Sequence, residues 1–385
     1  MTDYHPGLEG VIATESSISN IDGKKGILSY RGYSIEELAE KSTFEETAYL
    51  LLTGELPTKS ELESFIIKIN ARRDLPEGMI KLLQALPKDS NPMDVIQLAV
   101  SSLGTFYPTA FDAEELKANK YTTEYFIDIS AGIIGSIGSI VAAWNRIKNN
   151  KPYIKPDNKL SYAENFMHML DDSIMVTPLI NRIIDATLIL HAEHTINAST
   201  FTAMVTSSTL ASPTQVIASA IGSLSGPLHG GANQKVIAML DEMGGKENAE
   251  AWLDERLSKK QVVWGMGHRE YSTKDPRANI LTGMVQDLFK EQSGEVSDMF
   301  EKAMALEEAC EERLSKKGVY ANVDFYSGIL YKEIGIPVDL FTTLFAISRT
   351  SGWLAHWIEQ VGNNKIFRPT QNYTGYGNRE YSKKS

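Results

Sequence analysis

From about residue 34 to the C-terminus, apolar residues recur at helical spacing, and no series of alternating runs that could build a sheet interrupts them. "SIEELAEKS", "FEETAYLLLTG", "KSELESFIIKINARR" and "MIKLLQALP" read as successive short helices, punctuated by glycine and proline. The exception lies before them, where "GVIATESSIS" and "GILSYRGY" flank "NIDGKKG". Two β-prone runs around an Asp-Gly turn predict a small hairpin. The expected fold is therefore all-α, with one N-terminal β-hairpin. No period of 20–50 residues repeats, so a solenoid is excluded. A chain of 385 residues exceeds one simple core and suits two domains, or one large domain with an inserted lobe. Low-complexity linkers are absent, and "AIGSLSGPLHGG" is the best candidate for a hinge.

Charge narrows the class of partner. The formal net charge of −11 argues against nucleic acid and against an acidic membrane surface. The single cysteine, Cys310, excludes an internal disulfide and fits a reducing compartment. It has no histidine close in sequence and is not expected to act as a nucleophile. "MTDYHPGLEG" has the layout of neither a signal nor a transit peptide, so a soluble cytoplasmic protein is expected. The longest uncharged stretch, "ISAGIIGSIGSIVAAW" (129–144), is shorter than the roughly 20 residues that span a bilayer. Its glycines and serines predict a buried helix at a subunit contact.

The unusual residues fall in a few places. "GPLHGGANQ" sets His229 between a proline and two glycines, on the loop feeding the helix "QKVIAMLDEM". An incidental histidine in a tight turn is the plain alternative. "HAEHTINAST" places His191 and His194 three apart, on one face of a helix. His191 reads as a buried, hydrogen-bonded histidine and His194 as one facing a cavity. With Glu193 they could hold zinc, but no third histidine ligand or H-E-x-x-H pattern is near, and no metal is expected.

"GMGHREYSTKDPRA" sets His268 behind Gly-x-Gly, and its "DPR" reads as N-cap Asp275, Pro276 and Arg277 in a first turn. Arginine there opposes the helix dipole. Lys259, Lys260, Arg269, Lys274 and Arg277 outnumber Glu270 and Asp275 in this stretch of an acidic chain, which suggests an anionic ligand. "ANVDFYSGILYKEIG" places Asp324 at a helix start, as an N-cap or as a general base. Arg349 interrupts the apolar run "TTLFAISRTSGWLAHWIEQ", and a buried guanidinium demands an anionic partner. "KIFRPTQNYTG" puts Arg368 before a proline, on extended backbone that could reach a neighbouring subunit. Arginine forks suit a di- or tricarboxylate, neutral histidines polarise carbonyls, and an aspartate can take a proton from carbon.

Taken in order, these motifs closely resemble the citrate synthases, in the shorter bacterial and archaeal form. The match begins at "GLEGVIATESSISNIDGKKGILSYRGYSIEELAEKSTFEETAYLLLTGELPT" and ends with "AISRTSGWLAHWIEQ" and "FRP". The resemblance implies a homodimer of helical subunits. Residues 1–222 and 328–385 would form a large domain, and 223–327 a smaller one that closes over the substrates. It implies condensation of acetyl-CoA with oxaloacetate and water, through an enol and citryl-CoA, to citrate and CoA. His194, Arg277, Arg349 and, from the partner subunit, Arg368 would hold oxaloacetate. His268 would polarise its ketone, Asp324 would take the methyl proton, and His229 would stabilise the enol. CoA would lie along Val263, Trp264, Gly265, Met266 and Gly267, with Lys317 as a phosphate contact. Acetyl-CoA enters as co-substrate, and no tightly bound cofactor is implied.

Three positions depart from the family's common pattern: Thr195 for glutamate, Gln97 for arginine and Thr343 for proline. A 2-methylcitrate synthase using propionyl-CoA shares the same kit. Further alternatives are a zinc hydrolase built on His191, Glu193 and His194, and a non-catalytic citrate- or CoA-binding relative.

Overall fold

The computed structural model describes residues 4–109, 113–118, 120–292 and 296–381. The one sheet among these residues is antiparallel, in the order β1 (Ser19–Asp22), β2 (Ile27–Tyr30), β3 (Tyr33–Ser34). This differs from the expected hairpin. "NID" belongs to the first strand, because Ile21 pairs with the buried Leu28, and the turn contracts to Gly23–Gly26. Most of "GVIATESSIS" lies outside any strand.

The other regular elements among the described residues are helices. The first group comprises α1 (Ile35–Lys41), α2 (Phe44–Thr53), α3 (Lys59–Asn70), α4 (Glu77–Gln84), α5 (Pro92–Phe106) and α6 (Ala113–Lys117). Then come α7 (Thr123–Lys148), α8 (Tyr162–Leu170), α9 (Pro178–His191), α10 (Ala198–Ser208) and α11 (Pro213–Leu224). The starts are written into the sequence. Thr43 with Glu46, Thr58 with Glu61 and Ser161 with Glu164 form capping boxes, and proline opens α5, α9 and α11.

Helix α7 is long and apolar enough to cross a membrane by length and composition, yet it is the buried axis of this group. It packs on α3, α5 and α8. A Cβ on its Gly135 would stand 2.3 Å from the Ile69 carbonyl of α3. Its Gly135 thus serves close packing within this chain, in keeping with the buried helix expected from the sequence.

Helices α12 (Ala232–Met243), α13 (Ala249–Ser258), α14 (Pro276–Gln292), α15 (Asp298–Leu314) and α16 (Val323–Ile334) pack chiefly on one another. The expected domain boundaries, 222/223 and 327/328, fall inside α11 and α16. The nearest breaks in helix are 225–231 and 315–322. Cys310 is buried in α15, where burial pushes its thiol up to about 12. Helix α17 (Phe341–Gly362) returns to the first group, against α2, α7, α9, α10 and α11. Residues 363–381 then run without regular structure.

Candidate active site

The loop between α11 and α12 brings His229 to the start of α12, whose N-cap, Gly231, offers no side chain to the first-turn amides. His229 leans on the N-terminus of α10. Its Nε2 accepts the Ser199 N–H at 3.3 Å and lies 2.8 Å from Ser199 Oγ. With Nε2 accepting, the ring proton sits on Nδ1. Ser199 is itself buried: its Oγ accepts from Trp353 Nε1 (3.2 Å), and its one proton is shared between His229 Nε2 and Asn197 Oδ1 (2.8 Å). Burial, aided by Arg349, lowers the imidazole to about 4. His229 is a neutral donor at pH 7.

His268 takes the opposite tautomer. Its Nδ1 accepts the Glu270 N–H at 3.0 Å, which leaves Nε2 to carry the proton. Burial, with Arg277 beside it, again brings the ring to about 4. His194 sits against it with ring centroids 4.9 Å apart, and its Nε2 lies 3.1 Å from the Tyr271 hydroxyl. Burial and then Arg277 hold His194 well below the ordinary histidine range. His191 and His194 do not share a helix face as expected. Helix α9 ends at His191, and the chain turns through Thr195 at φ 51°. His191 is the buried partner, its Nδ1 on the Thr187 carbonyl at 2.8 Å.

The two buried arginines differ. Arg277 is gripped bidentately by Asp275, Nε to Oδ1 at 3.0 Å and Nη2 to Oδ2 at 2.8 Å. That carboxylate also accepts the Arg277 and Val323 amides, as an N-cap would. Burial opposes both charges, and the pairing outweighs it. Asp275 is driven below the usual carboxylate range and Arg277 above its own. Arg349, 1% exposed, donates Nε to the His191 carbonyl at 2.7 Å and stacks 4.8 Å over the Phe345 ring. Among the described residues no carboxylate lies within ion-pair distance of it. Burial lowers it to about 10. It stays cationic, with Glu193 and Asp324 acting on it from beyond ion-pair distance.

Asp324 is not the cap of α16. Asn322 is, its Oδ1 accepting the Asp324 amide at 2.9 Å. That releases the Asp324 carboxylate, whose buried Oδ1 has no partner. Burial raises it to about 6, against the pull of Arg277 and Arg349. A desolvated, unpartnered carboxylate beside two cations is a base poised near neutrality.

Residues 263–267 lie alongside this base. Met266 bridges to Ala321, Gly267 N–H donates to the Tyr320 carbonyl at 2.7 Å, and the Gly265 and Gly267 carbonyls both accept from Asn322 at 2.9 Å. At φ 78°, Gly265 would drive a Cβ to 2.9 Å from Phe325, so this glycine serves the chain's own packing. Trp264 is covered by Lys235, 3.8 Å above its ring, and Val263 is buried. Lys317 is exposed on a turn four residues before Ala321.

Arg368 lies on the exposed tail, bonded to the Pro369 carbonyl, and does not join the other residues within this chain. His191, Glu193 and His194 are engaged separately, Glu193 with Ser19 and His356. No cluster of three potential metal ligands occurs among the described residues. Thr195 forms the turn after His194, Gln97 packs on Gly222 of α11, and Thr343 donates to the Leu340 carbonyl.

Ser199, Tyr271, Asn322 and Phe345 carried no expectation from the sequence. All four sit inside quoted motifs, but only the fold shows what each one touches.

A family model described as "Citrate synthase, C-terminal domain" matches residues 7–370. The chain is 48% identical to the citrate synthase of Acidithiobacillus ferridurans, over 98% of this chain and 97% of that one. It is 45% identical to that of Synechocystis, over 99% and 94%. Among solved structures it superposes on citrate synthase from Thermotoga maritima with a TM-score of 0.85 at 40% identity, covering 97% of each chain. The citrate synthase of Thermoplasma acidophilum, solved as a ternary complex with carboxymethyl coenzyme A and oxaloacetate, matches at TM-score 0.90 and 33% identity, over 99% and 98%. Two neutral histidines of opposite tautomer, a released carboxylate and two buried arginines therefore stand on a scaffold shared over nearly its whole length: the chain belongs to the citrate synthase family.

Proposed function

We propose that this enzyme condenses acetyl-CoA with oxaloacetate and water to give citrate and CoA, in a site built from His194, His229, His268, Arg277, Asp324 and Arg349. The observation that carries the reading is the Asp324 carboxylate, uncapped by virtue of Asn322 and raised to about 6 by burial. Asp324 takes a proton from the acetyl methyl. His229, its proton on Nδ1, donates to the thioester oxygen, where charge develops in the enol. One such donor is typically worth about 2.7–4 kcal/mol. The Nε2–H of His268 polarises the ketone of oxaloacetate, and the enol carbon attacks that ketone carbon. The new alkoxide takes up a proton, and water cleaves the thioester of citryl-CoA.

Arg349, without an ion-pair partner among the described residues, suits a bidentate grip on one substrate carboxylate. Arg277, with Nε and Nη2 on Asp275 and Nη1 3.5 Å from the Leu190 carbonyl, has less of its fork left to offer, and His194 assists. The exposed tail supports a homodimer in which Arg368 of one copy completes the site of the other. The grouping of α12–α16 supports a smaller domain at about 223–327 that closes over the substrates. Residues 263–267 and Lys317 are proposed to receive CoA, and the cytoplasm is proposed as its compartment. The test is thiol release with oxaloacetate, comparing acetyl-CoA and propionyl-CoA. Preference for acetyl-CoA is expected, and preference for propionyl-CoA would make the enzyme a 2-methylcitrate synthase. One methylene is typically worth only about 1–3 kcal/mol, so the comparison is made on kcat/KM.

A further inference from the structure

The N-terminal sheet belongs to no step above, yet it touches both loops that carry the paired histidines. At one end, Ser19 and Tyr30 lie opposite each other across β1 and β2. Ser19 Oγ donates to Glu193 Oε1 at 3.0 Å and accepts the Thr195 N–H at 3.2 Å. The Tyr30 hydroxyl donates to the Glu193 carbonyl at 2.8 Å and accepts the Glu193 amide at 3.2 Å. His194 is thus held from both neighbouring residues. Glu193 is fully buried, and burial opposes its charge. His356, bonded to it at 3.1 Å, nevertheless keeps it below its ordinary value.

At the other end, the turn Gly23–Gly26 meets the loop between His268 and Asp275. The Gly23 carbonyl accepts the Ser272 N–H at 3.0 Å, and a Cβ on Gly23 would fall 1.7 Å from the Glu270 carbonyl oxygen. Glu270 is the residue whose amide fixes His268 Nδ1. Between the two ends, Tyr271 closes the circuit. Its hydroxyl reaches His194 Nε2, and its ring lies 4.9 Å from that of His268.

We propose that this sheet is a positioning element of the active site. Bonded to Glu193 and Thr195 at one end, and at the other bonded to Ser272 and packed on Glu270 of the proposed smaller domain, it sets the spacing of His194 and His268 and the tautomer of His268 when that domain is seated, without itself touching substrate. The inference rests on the reading that these two histidines receive the keto acid. Loops separated by more than 70 residues have no local means of holding two rings in register, and a rigid strand pair between them supplies one.

The test uses Gly23→Ala, which forces the turn off Glu270, and Ser19→Ala, which frees the other end. Each is measured for steady-state kinetics, thermal midpoint and the ¹⁵N signals of the imidazoles. In both variants the KM for oxaloacetate is expected to rise about tenfold to a hundredfold, the scale of a small misplacement of a reacting group. The KM for acetyl-CoA should hold. The His268 Nδ1 signal, that of an unprotonated nitrogen in the wild type, should shift toward tautomer averaging in Gly23→Ala. Unchanged oxaloacetate KM and imidazole signals in both variants, or changes confined to the thermal midpoint, would overturn the proposal. Should Gly23→Ala not fold, Ser19→Ala decides alone. A wild type that releases no thiol would defeat the proposed reaction, while the imidazole comparison would still decide the brace.

Discussion

At the scale of single residues, the site works by keeping groups in protonation states they would not hold in water. Burial pulls His229 and His268 to about 4, so both remain neutral donors throughout the physiological range. Burial pushes Asp324 the other way, to about 6. A carboxylate base works ionised, so in the proposed reaction the pKa of Asp324 sets the acid limb of the rate. The kcat/KM for acetyl-CoA should rise with pH through about 6 and level off above it. A limb near the ordinary value of about 4 would mean that Asp324 is solvated or is not the base.

Most of these residues are legible in the sequence as chemical types in suggestive surroundings, and their states are not. Position makes Asp324 the expected cap of α16, yet the cap is Asn322. Asn322 takes the role because its side chain also reaches the Gly267 carbonyl. Arg277 and Arg349 look alike in sequence, but Asp275 two residues away matches only the first.

Among the elements, close approach decides more than propensity. Helix α7 tolerates Gly135 because the backbone of α3 passes where a side chain would be. Gly135→Ala should lower stability by about 1–3 kcal/mol through overpacking. Gly283→Ala, in the interior of α14 with nothing within 4 Å of its Cβ, should raise it by about 0.5–1 kcal/mol. Paired denaturation curves measure both, and equal effects would refute the packing account. Helices with capping boxes or an opening proline were readable, because their start signals are local. The first strand was not, because its register depends on Ile21 meeting Leu28 across the turn. The end of α9 at His191 was also missed, since "HAEHT" carries no glycine or proline stop.

At the scale of the whole molecule, the proposed site asks for a residue that one chain does not bring to it. Arg368 stands on an exposed tail, away from the other arginines. In the proposed dimer each site takes this residue from the other copy. Arg368→Ala and Asp324→Asn subunits, each inactive alone, should then restore activity when refolded together, since one site of the mixed dimer has both groups intact. No recovery in mixtures shown to contain heterodimer would place Arg368 outside the site. The all-helical class and order of motifs could be read from the chain because they are repeated many times along it. The sheet's contact with both histidine loops is a single long-range event, and no local pattern announces it.

The account depends most on one carboxylate. The decisive measurement is thiol release from acetyl-CoA in the presence of oxaloacetate, by the wild type and by Asp324→Asn, with folding of both checked. Rapid release by the wild type, slowed at least about 10²-fold in the variant, is the expected result for loss of a general base. Comparable rates in the two proteins would contradict it, and the proton would then have to leave carbon by way of another group.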